Sequence, residues 1–279
     1  MDYTSSEKII HSVVQISTLD NNLNTTGLAT GFVLAFMESD TSSAPVLVTN
    51  RHVLEDASYV NVVFTTAKSD GSPDIGRTVS ATIDASNSIM HPDETVDLAV
   101  LPIAAALSSL IDSGSRPFYA YLKTELIPSA DEWNRMDAVE RVIMAGYPKG
   151  IRDTVNNLPI VRRGITATPP KYDFMGTPEF LVDMPCFEGC SGSPVFLLDE
   201  SVHVSNHDGR VTIGSPRVFL LGIQHAIPLA QATGTLEILP SDAQVDVKPV
   251  VPLYLNIGYI IKSSALLDFD PILRSLAGG

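Results

Sequence analysis

Residues 187–196 read FEGCSGSPVF, a turn of small residues running straight into an apolar strand. Glycine, cysteine, serine, glycine and serine follow one another at positions 189–193. Gly189 supplies a backbone shape that other residues disfavour, and Gly192 and Pro194 shape the exit into the strand. A serine hydroxyl in such a turn is a weak nucleophile by itself. It becomes reactive only beside a base, and the base works only when an acid orients it. The reading of this turn therefore depends on what else the chain can bring to it.

Around the turn the chain is mostly short apolar runs rich in β-branched residues. The first half offers SVVQIST, TGFVLAF, APVLVTN, YVNVVFTT, TVSATIDA and VDLAVLPI. The second half offers RVIMAGYP, IVRRGITAT, EFLVDM, SPVFLL, RVFLLGIQHA and YLNIGYII. Clusters of Asn, Asp, Gly, Ser and Pro separate them, and this pattern predicts an all-β sandwich or barrel. Helical periodicity is scarce. SALLDFDPILRSL predicts a short C-terminal helix with Ser263 or Ser264 as N-cap, and Pro271 either interrupts it or sits in its first turn. SADEWNRMDAVE reads as a helix or an irregular bridge between the two groups of strands. The expected division is an N-terminal unit over 1–110, a linker over 111–138 and a C-terminal unit over 139–279. DESVHVSNHDGRVTIGSPR predicts a hairpin turning at Asp208-Gly209, and LPSDAQVDVKPVVP reads as a loop.

Composition narrows the function. The 279 residues are 44% hydrophobic and 18% charged, enough apolar material for a packed core. A net charge of −14 argues against nucleic acid as a partner. No apolar run has the length of a membrane span, and the N-terminus shows no basic segment followed by a long apolar run, so a cytoplasmic location without membrane contact is expected. The two cysteines, Cys186 and Cys190, are no disulfide framework and read as reduced thiols. Too few ligands surround them for zinc, so neither a metal site nor a cofactor is expected.

Six histidines are candidates for the base. His52 ends the strand in VLVTNRHVLEDA, and Asp97 opens DLAVLPI. Asp93 and Glu94 compete with Asp97, but the acid should directly precede the apolar strand. Ser193 is an alternative nucleophile two positions along. A nucleophile elbow would read G-x-S-x-G, whereas GCSGS has Ser193 where the last glycine belongs, and the alternating strand–helix pattern is missing. Cys190 is expected to point away from any cleft and Cys186 to be a buried or pocket-wall thiol. His203 and His207 are spaced like helical metal ligands but lie in hairpin composition, so they read as surface residues. His11 and His91 carry no signal. Arg162 and Arg163 fall on opposite faces of a strand, one of them a candidate for a buried ion pair.

TNRHV, DLAV and GCSGSPVF, in that order, resemble the three signature segments of the chymotrypsin-like (trypsin-like) serine peptidases. TGFVLAF before the first and LLGIQHA after the last fit the same scheme, so the resemblance covers nearly the whole chain. GYPKGIRDTVNNLPIVRRGITAT resembles bacterial intracellular trypsin-like peptidase-domain proteins. The resemblance implies two six-stranded antiparallel β-barrels with a short C-terminal helix. His52 and Asp97 would come from the first barrel and Ser191 from the second, as base, orienting acid and nucleophile of a family mechanism. The amides of Gly189 and Ser191 would form the oxyanion hole. Cys186, Phe187, Gln224, His225 and Ala226 would line the substrate pocket.

The pattern also departs from the family. Pro185 stands where trypsin-type members carry an acid, so a lysine or arginine side chain is not the expected cargo. A small or apolar pocket is expected, unless Gln224 and His225 bind a polar side chain. Cys190 replaces the aspartate that pairs with a freshly cut N-terminus, so the oxyanion loop must be held otherwise or ordered by an activating partner or by substrate. A peptide or protein is the expected substrate. The alternatives are a catalytically weak or partner-activated binding module and a serine esterase.

Overall fold

The structure is a computed structural model that describes residues 3–36, 44–199, 203–207, 210–214, 217–233 and 250–277. It opens with helix α1 (Ser5–Ser12), started by a reciprocal cap. The Thr4 hydroxyl accepts from the Glu7 amide at 3.2 Å and the Glu7 carboxylate accepts from the Thr4 amide at 2.8 Å.

All twelve expected strands are present. The first half holds β1 (Val13–Leu19), β2 (Thr25–Phe36), β3 (Ala44–Thr49), β4 (Tyr59–Ala67), β5 (Pro73–Asp84), β6 (Ile89–Met90) and β7 (Ala99–Pro102). A one-turn helix α2 (Arg51–Leu54) follows β3, and α3 (Ala104–Asp112) follows β7. The expected linker contains β8 (Pro117–Phe118), β9 (Leu122–Lys123) and α4 (Ala130–Asn134), the last capped reciprocally by Ser129 and Glu132. The second half holds β10 (Arg141–Gly146), β11 (Ile160–Thr166), β12 (Glu179–Asp183), β13 (Pro194–Asp199), β14 (His203–His207), β15 (Arg210–Gly214), β16 (Arg217–Ala226), β17 (Leu229–Thr233), β18 (Val250–Tyr254) and β19 (Ile257–Lys262).

The second half closes as a six-stranded barrel in the order β10-β11-β12-β19-β16-β13. The first half differs from the expected six-stranded barrel. Its nine strands form one sheet along the path β5-β4-β1-β2-β3-β7-β6, with β8 added to β4 and β9 added in parallel to β2. Among the described residues β5 and β6 do not pair, so hydrogen bonds leave this sheet open. Helix α3 lies against β3, β5 and β8 and buries Leu107 in a cluster with Val60, Ile83 and Leu101. Two strands of the expected linker thus belong to the first sheet. The hairpin is present as β14 and β15, with His207 opposite Arg210. Its turn at Asp208-Gly209 lies outside the described residues, as do the side chains of His203 and His207. Most of LPSDAQVDVKPVVP also lies outside them, and its end is β18 rather than loop.

At the C-terminus the structure departs from the expected cap. Ser263 and Ser264 lie inside a 3-10 segment, Ser263–Phe269, entered from Lys262. Helix α5 (Asp270–Ala277) follows, with Pro271 in its first turn, where a missing amide costs nothing.

Eight consecutive residues of β2, from Ala29 to Phe36, are buried. Alternate side chains serve different cores, as the two-residue period of a strand requires. Ala29 and Val33 join the core of the first sheet. Phe32, Leu34 and Phe36 join a core shared by both halves, with Val48, Leu98 and Val100 from the first and Tyr147, Phe196, Ile223 and Ile261 from the second. His91, silent in the sequence, is buried and ties the halves together: its Nε2 lies 3.1 Å from the Ala265 carbonyl and 3.2 Å from Asp268 Oδ2.

A shared core makes the halves unfold together. Phe196→Ala should lower stability by about 3–5 kcal/mol and still give one transition in denaturant, read by both near- and far-ultraviolet circular dichroism.

Candidate active site

Strands β3 and β7 pair so that Thr49 faces Ala99. That register brings Asp97, just before β7, to the start of α2. Asp97 then grips His52 twice. Its Oδ2 lies 2.6 Å from His52 Nδ1, and its Oδ1 accepts from the His52 amide at 3.0 Å. Asn50 Nδ2 donates to the Asp97 carbonyl at 2.8 Å and fixes the acid from behind. Asp93 is spent elsewhere, its Oδ1 accepting from the amide and hydroxyl of Thr95. With Nδ1 held by Asp97, Nε2 of His52 is the nitrogen left for reaction. His52 and Ser191 line the same cleft, of about 420 Å³, with Leu28, Ala29 and Val53.

The Ser191 turn is built from the inside. Gly189 has φ +83° and Gly192 φ +84°, left-handed values that favour glycine. A side chain at Gly192 would also collide with the Thr30 carbonyl and the Thr49 hydroxyl. Strand β2 reaches across to the turn through Thr30. Its amide donates to the Ser191 carbonyl at 2.9 Å, and its hydroxyl donates to the Gly189 carbonyl at 2.9 Å while accepting from the Tyr147 amide at 3.0 Å. Within the turn the amides of Cys190 and Ser193 donate to the Phe187 and Cys190 carbonyls, and the Gly192 amide donates to the Gln224 carbonyl of β16. The amides of Gly189 and Ser191 have no partner among the described residues. Their direction follows from peptide geometry, in which C=O and N–H point oppositely. The Glu188 carbonyl accepts from the Lys149 amide at 2.6 Å and the Cys190 carbonyl from the Ser193 amide at 2.9 Å. Each turns the following N–H the other way.

Arg162 reaches this turn from β11. It donates through Nη1 to the Pro185 carbonyl and through Nη2 to Cys190 Sγ at 3.0 Å. The partners are a backbone carbonyl and a cysteine sulfur where the sequence suggested an ion pair with a carboxylate. Arg163 is exposed. Cys190 is fully buried beneath Ser191 and Cys186 nearly so. Burial pushes the Cys186 thiol up to about 12, so it stays protonated.

The residues expected to line a pocket divide into two groups. Cys186 and Gln224 are buried side by side against Gly258, where an added Cβ would come 2.7 Å from the Cys186 sulfur. Gln224 Nε2 donates to the Ala226 carbonyl at 3.2 Å. Phe187 and Ala226 are half-buried. His225 is partly buried and lies beside two carboxylates. Its Nδ1 lies 3.7 Å from Asp97 Oδ2 and its Nε2 3.1 Å from Glu179 Oε1. Burial would weaken His225 as a base, but the contacts with Asp97 and Glu179 outweigh it and hold its pKa up to about 9. At Asp97 burial likewise works against the charge, and contacts with His225 and His52 prevail, keeping the carboxyl well below the usual range.

Thr30, Asn50 and Glu179 are the residues that sequence reasoning missed. Each belongs to a strand or strand end whose local sequence is ordinary, and only the pairing of distant strands brings them here. Among the described residues no group of three or more His, Cys, Asp or Glu is placed to hold a metal ion, and no helix is long and apolar enough to cross a membrane.

A barrel packed on a second β-sheet, with an acid–imidazole pair facing a serine turn, defines a class of two-unit β hydrolase folds. The profile of the trypsin-like peptidase domain matches residues 29–203, and the chain belongs to that family. A similar solved structure is the crystal structure of a thermostable serine protease from an extremophilic microorganism, with 14% identity and a TM-score of 0.45 over 94% of this chain and 96% of that one. No curated protein sequence matches the chain.

His225 gains basicity on folding, from an ordinary value near 6.5 to about 9. Its contribution to stability is therefore full below about pH 6.5 and is lost as pH rises through about 9. The melting temperature of the native protein should fall over that window relative to His225→Gln, as followed by differential scanning fluorimetry.

Proposed function

We propose that this chain is a serine endopeptidase working through an acyl-enzyme, with Ser191 as nucleophile, His52 as general base and acid, and Asp97 as the group that orients and charges His52. The observation that carries the reading is the double grip of Asp97 on the ring and backbone of His52, across the cleft from Ser191. Ser191 Oγ attacks the scissile carbonyl carbon while its proton passes to His52 Nε2, and Nδ1–H stays on Asp97. The new oxyanion lies toward the amides of Gly189 and Ser191. Each such donor is worth roughly a hundred- to a thousand-fold in rate. The C–N bond then breaks, His52 returns its proton to the amine, and water repeats the sequence on the ester.

Two further features support this reading. The carbonyls of Glu188 and Cys190 are tied to other amides, which supports an oxyanion hole set before substrate arrives. Arg162 supplies a cation at the turn from within the chain, which supports activity without a cleaved N-terminus and without an activating partner. The substrate on this reading is a peptide or protein. The close packing of Cys186 and Gln224 against Gly258 favours a small side chain at the cleavage point.

The test is labelling of purified protein by a fluorophosphonate probe, with the site found by peptide mass spectrometry. Label on Ser191, absent from Ser191→Ala and nearly absent from His52→Ala, is the expected result. Asp97→Asn should slow labelling by about 10⁴-fold while the fold is kept. Folded protein that takes no label would favour a binding module on the same scaffold.

The Arg162 clamp gives a separate expectation. Arg162→Met should reduce the labelling rate by roughly 10²-fold, the scale of losing one oxyanion donor, with an unchanged circular dichroism spectrum.

A further inference from the structure

The acid of the site is held by two imidazoles. Asp97 Oδ2 lies 2.6 Å from His52 Nδ1 and 3.7 Å from His225 Nδ1. Behind His225 stands a second acid, with Glu179 Oε1 3.1 Å from His225 Nε2. Each ring nitrogen of His225 thus has a carboxylate oxygen at ion-pair distance, although the buried Nε2 makes no hydrogen bond in this ring orientation. A neutral imidazole carries one N–H and one lone pair, so it would turn that lone pair toward one of the two anions. Only the doubly protonated ring suits both neighbours. The Tyr259 ring packs edge-on against His225, with centroids 6.3 Å apart, and limits its rotation. The charged or titratable groups that face His225 are therefore Asp97 and Glu179 directly, His52 through the shared Asp97 oxygen, and the Tyr259 ring.

We propose that His225 is a positioning residue, an imidazolium held between Asp97 and Glu179 that fixes the Asp97 carboxylate and sets the basicity of His52. The proposal rests on the reading of His52 and Asp97 as base and orienting acid. The charge count gives it content. With His52 neutral, the four groups carry Asp97 −1, Glu179 −1 and His225 +1, a net −1. When His52 takes the serine proton the cluster becomes neutral. Glu179 offsets the charge of His225, so the cluster presents to His52 the same net charge that a lone aspartate would. Both acids are needed for this, because an imidazolium without Glu179 would cancel Asp97 and oppose the charging of His52.

The consequence is a pair of opposite shifts. The acid limb of the labelling rate against pH reports the protonation of His52 in the free protein. Glu179→Gln leaves the imidazolium uncompensated and should move that limb to lower pH. His225→Gln leaves two carboxylates and should move it to higher pH. Each shift should be about one pH unit. The double variant should return close to the native position. In native protein an alkaline fall should accompany loss of the His225 proton, and His225→Gln should lack it.

The experiment is the fluorophosphonate labelling rate from pH 5 to 10 for the native protein, the two single variants and the double variant. Circular dichroism confirms the fold of each. Nitrogen-15 spectra of the imidazoles are recorded in parallel on the native protein and on Glu179→Gln. Opposite shifts that cancel in the double variant, with His225 doubly protonated at pH 7, are the expected result. Two single variants that slow labelling without moving the limb, or that move it the same way, would overturn the proposal. A singly protonated His225 in the native protein would also overturn it. If the native protein takes no label at any pH, the peptidase reading fails, and the spectra alone decide. A doubly protonated His225 that loses a proton at lower pH in Glu179→Gln sustains the proposed clamp, and any other titration removes it.

Discussion

Thr30 is the point on which the two halves depend. It is a buried residue in the middle of β2, and it spends its amide and its hydroxyl on the second half. The Ser191 and Gly189 carbonyls and the Tyr147 amide all terminate on it. The close approach is possible because Gly192 has no side chain to strike the Thr30 carbonyl. A strand of the first sheet thereby fixes the serine turn of the barrel. The shared core does the rest, with β2 supplying Phe32, Leu34 and Phe36 to a cluster that includes Phe196 and Ile223. Hydrogen bonds set the register of the turn against the sheet, and apolar burial holds the two together.

On the other side of the cleft the organising constraint is electrostatic. A carboxylate half removed from water is costly unless it is paired. Asp97 is satisfied by the amide and ring of His52 and by proximity to His225. Asn50 adds a bond to its backbone. An acid so surrounded stays ionised, and an ionised acid holds the imidazole in one tautomer. The turn around Ser191 is organised by backbone bonds and by a guanidinium, so the two sides of the cleft are built by different physics.

Much of this could be read along the chain. Turn residues bounded twelve strands because proline, glycine, asparagine and aspartate break ladders wherever they fall. His52, Asp97 and Ser191 stood out because each adjoins an apolar strand, and the structure puts His52 and Asp97 in contact and Ser191 on their cleft. The nine strands of the first sheet were less legible. The pairs Ile89–Met90, Pro117–Phe118 and Leu122–Lys123 are two residues long and carry no period to detect. The residues expected to line a pocket were legible as a group but not in their use. His225 and Ala226 are neighbours in sequence and both are partly buried, yet the His225 ring lies against Asp97 and Glu179 while Ala226 accepts from the buried Gln224 through its carbonyl.

The sequence by itself determined the all-β class of the fold and the order of its strands, which are written in local period and turn chemistry, while His52, Asp97 and Ser191 were singled out by strand context together with resemblance to a family. Tertiary structure alone decided how they are supported. Thr30 meets Ser191, Arg162 meets Cys190 and His225 meets Glu179 only after strands far apart in the chain have paired and curved. No short stretch encodes a contact between two strands. Its distance and angle come from register, twist and the closure of the barrel, which the whole chain settles at once.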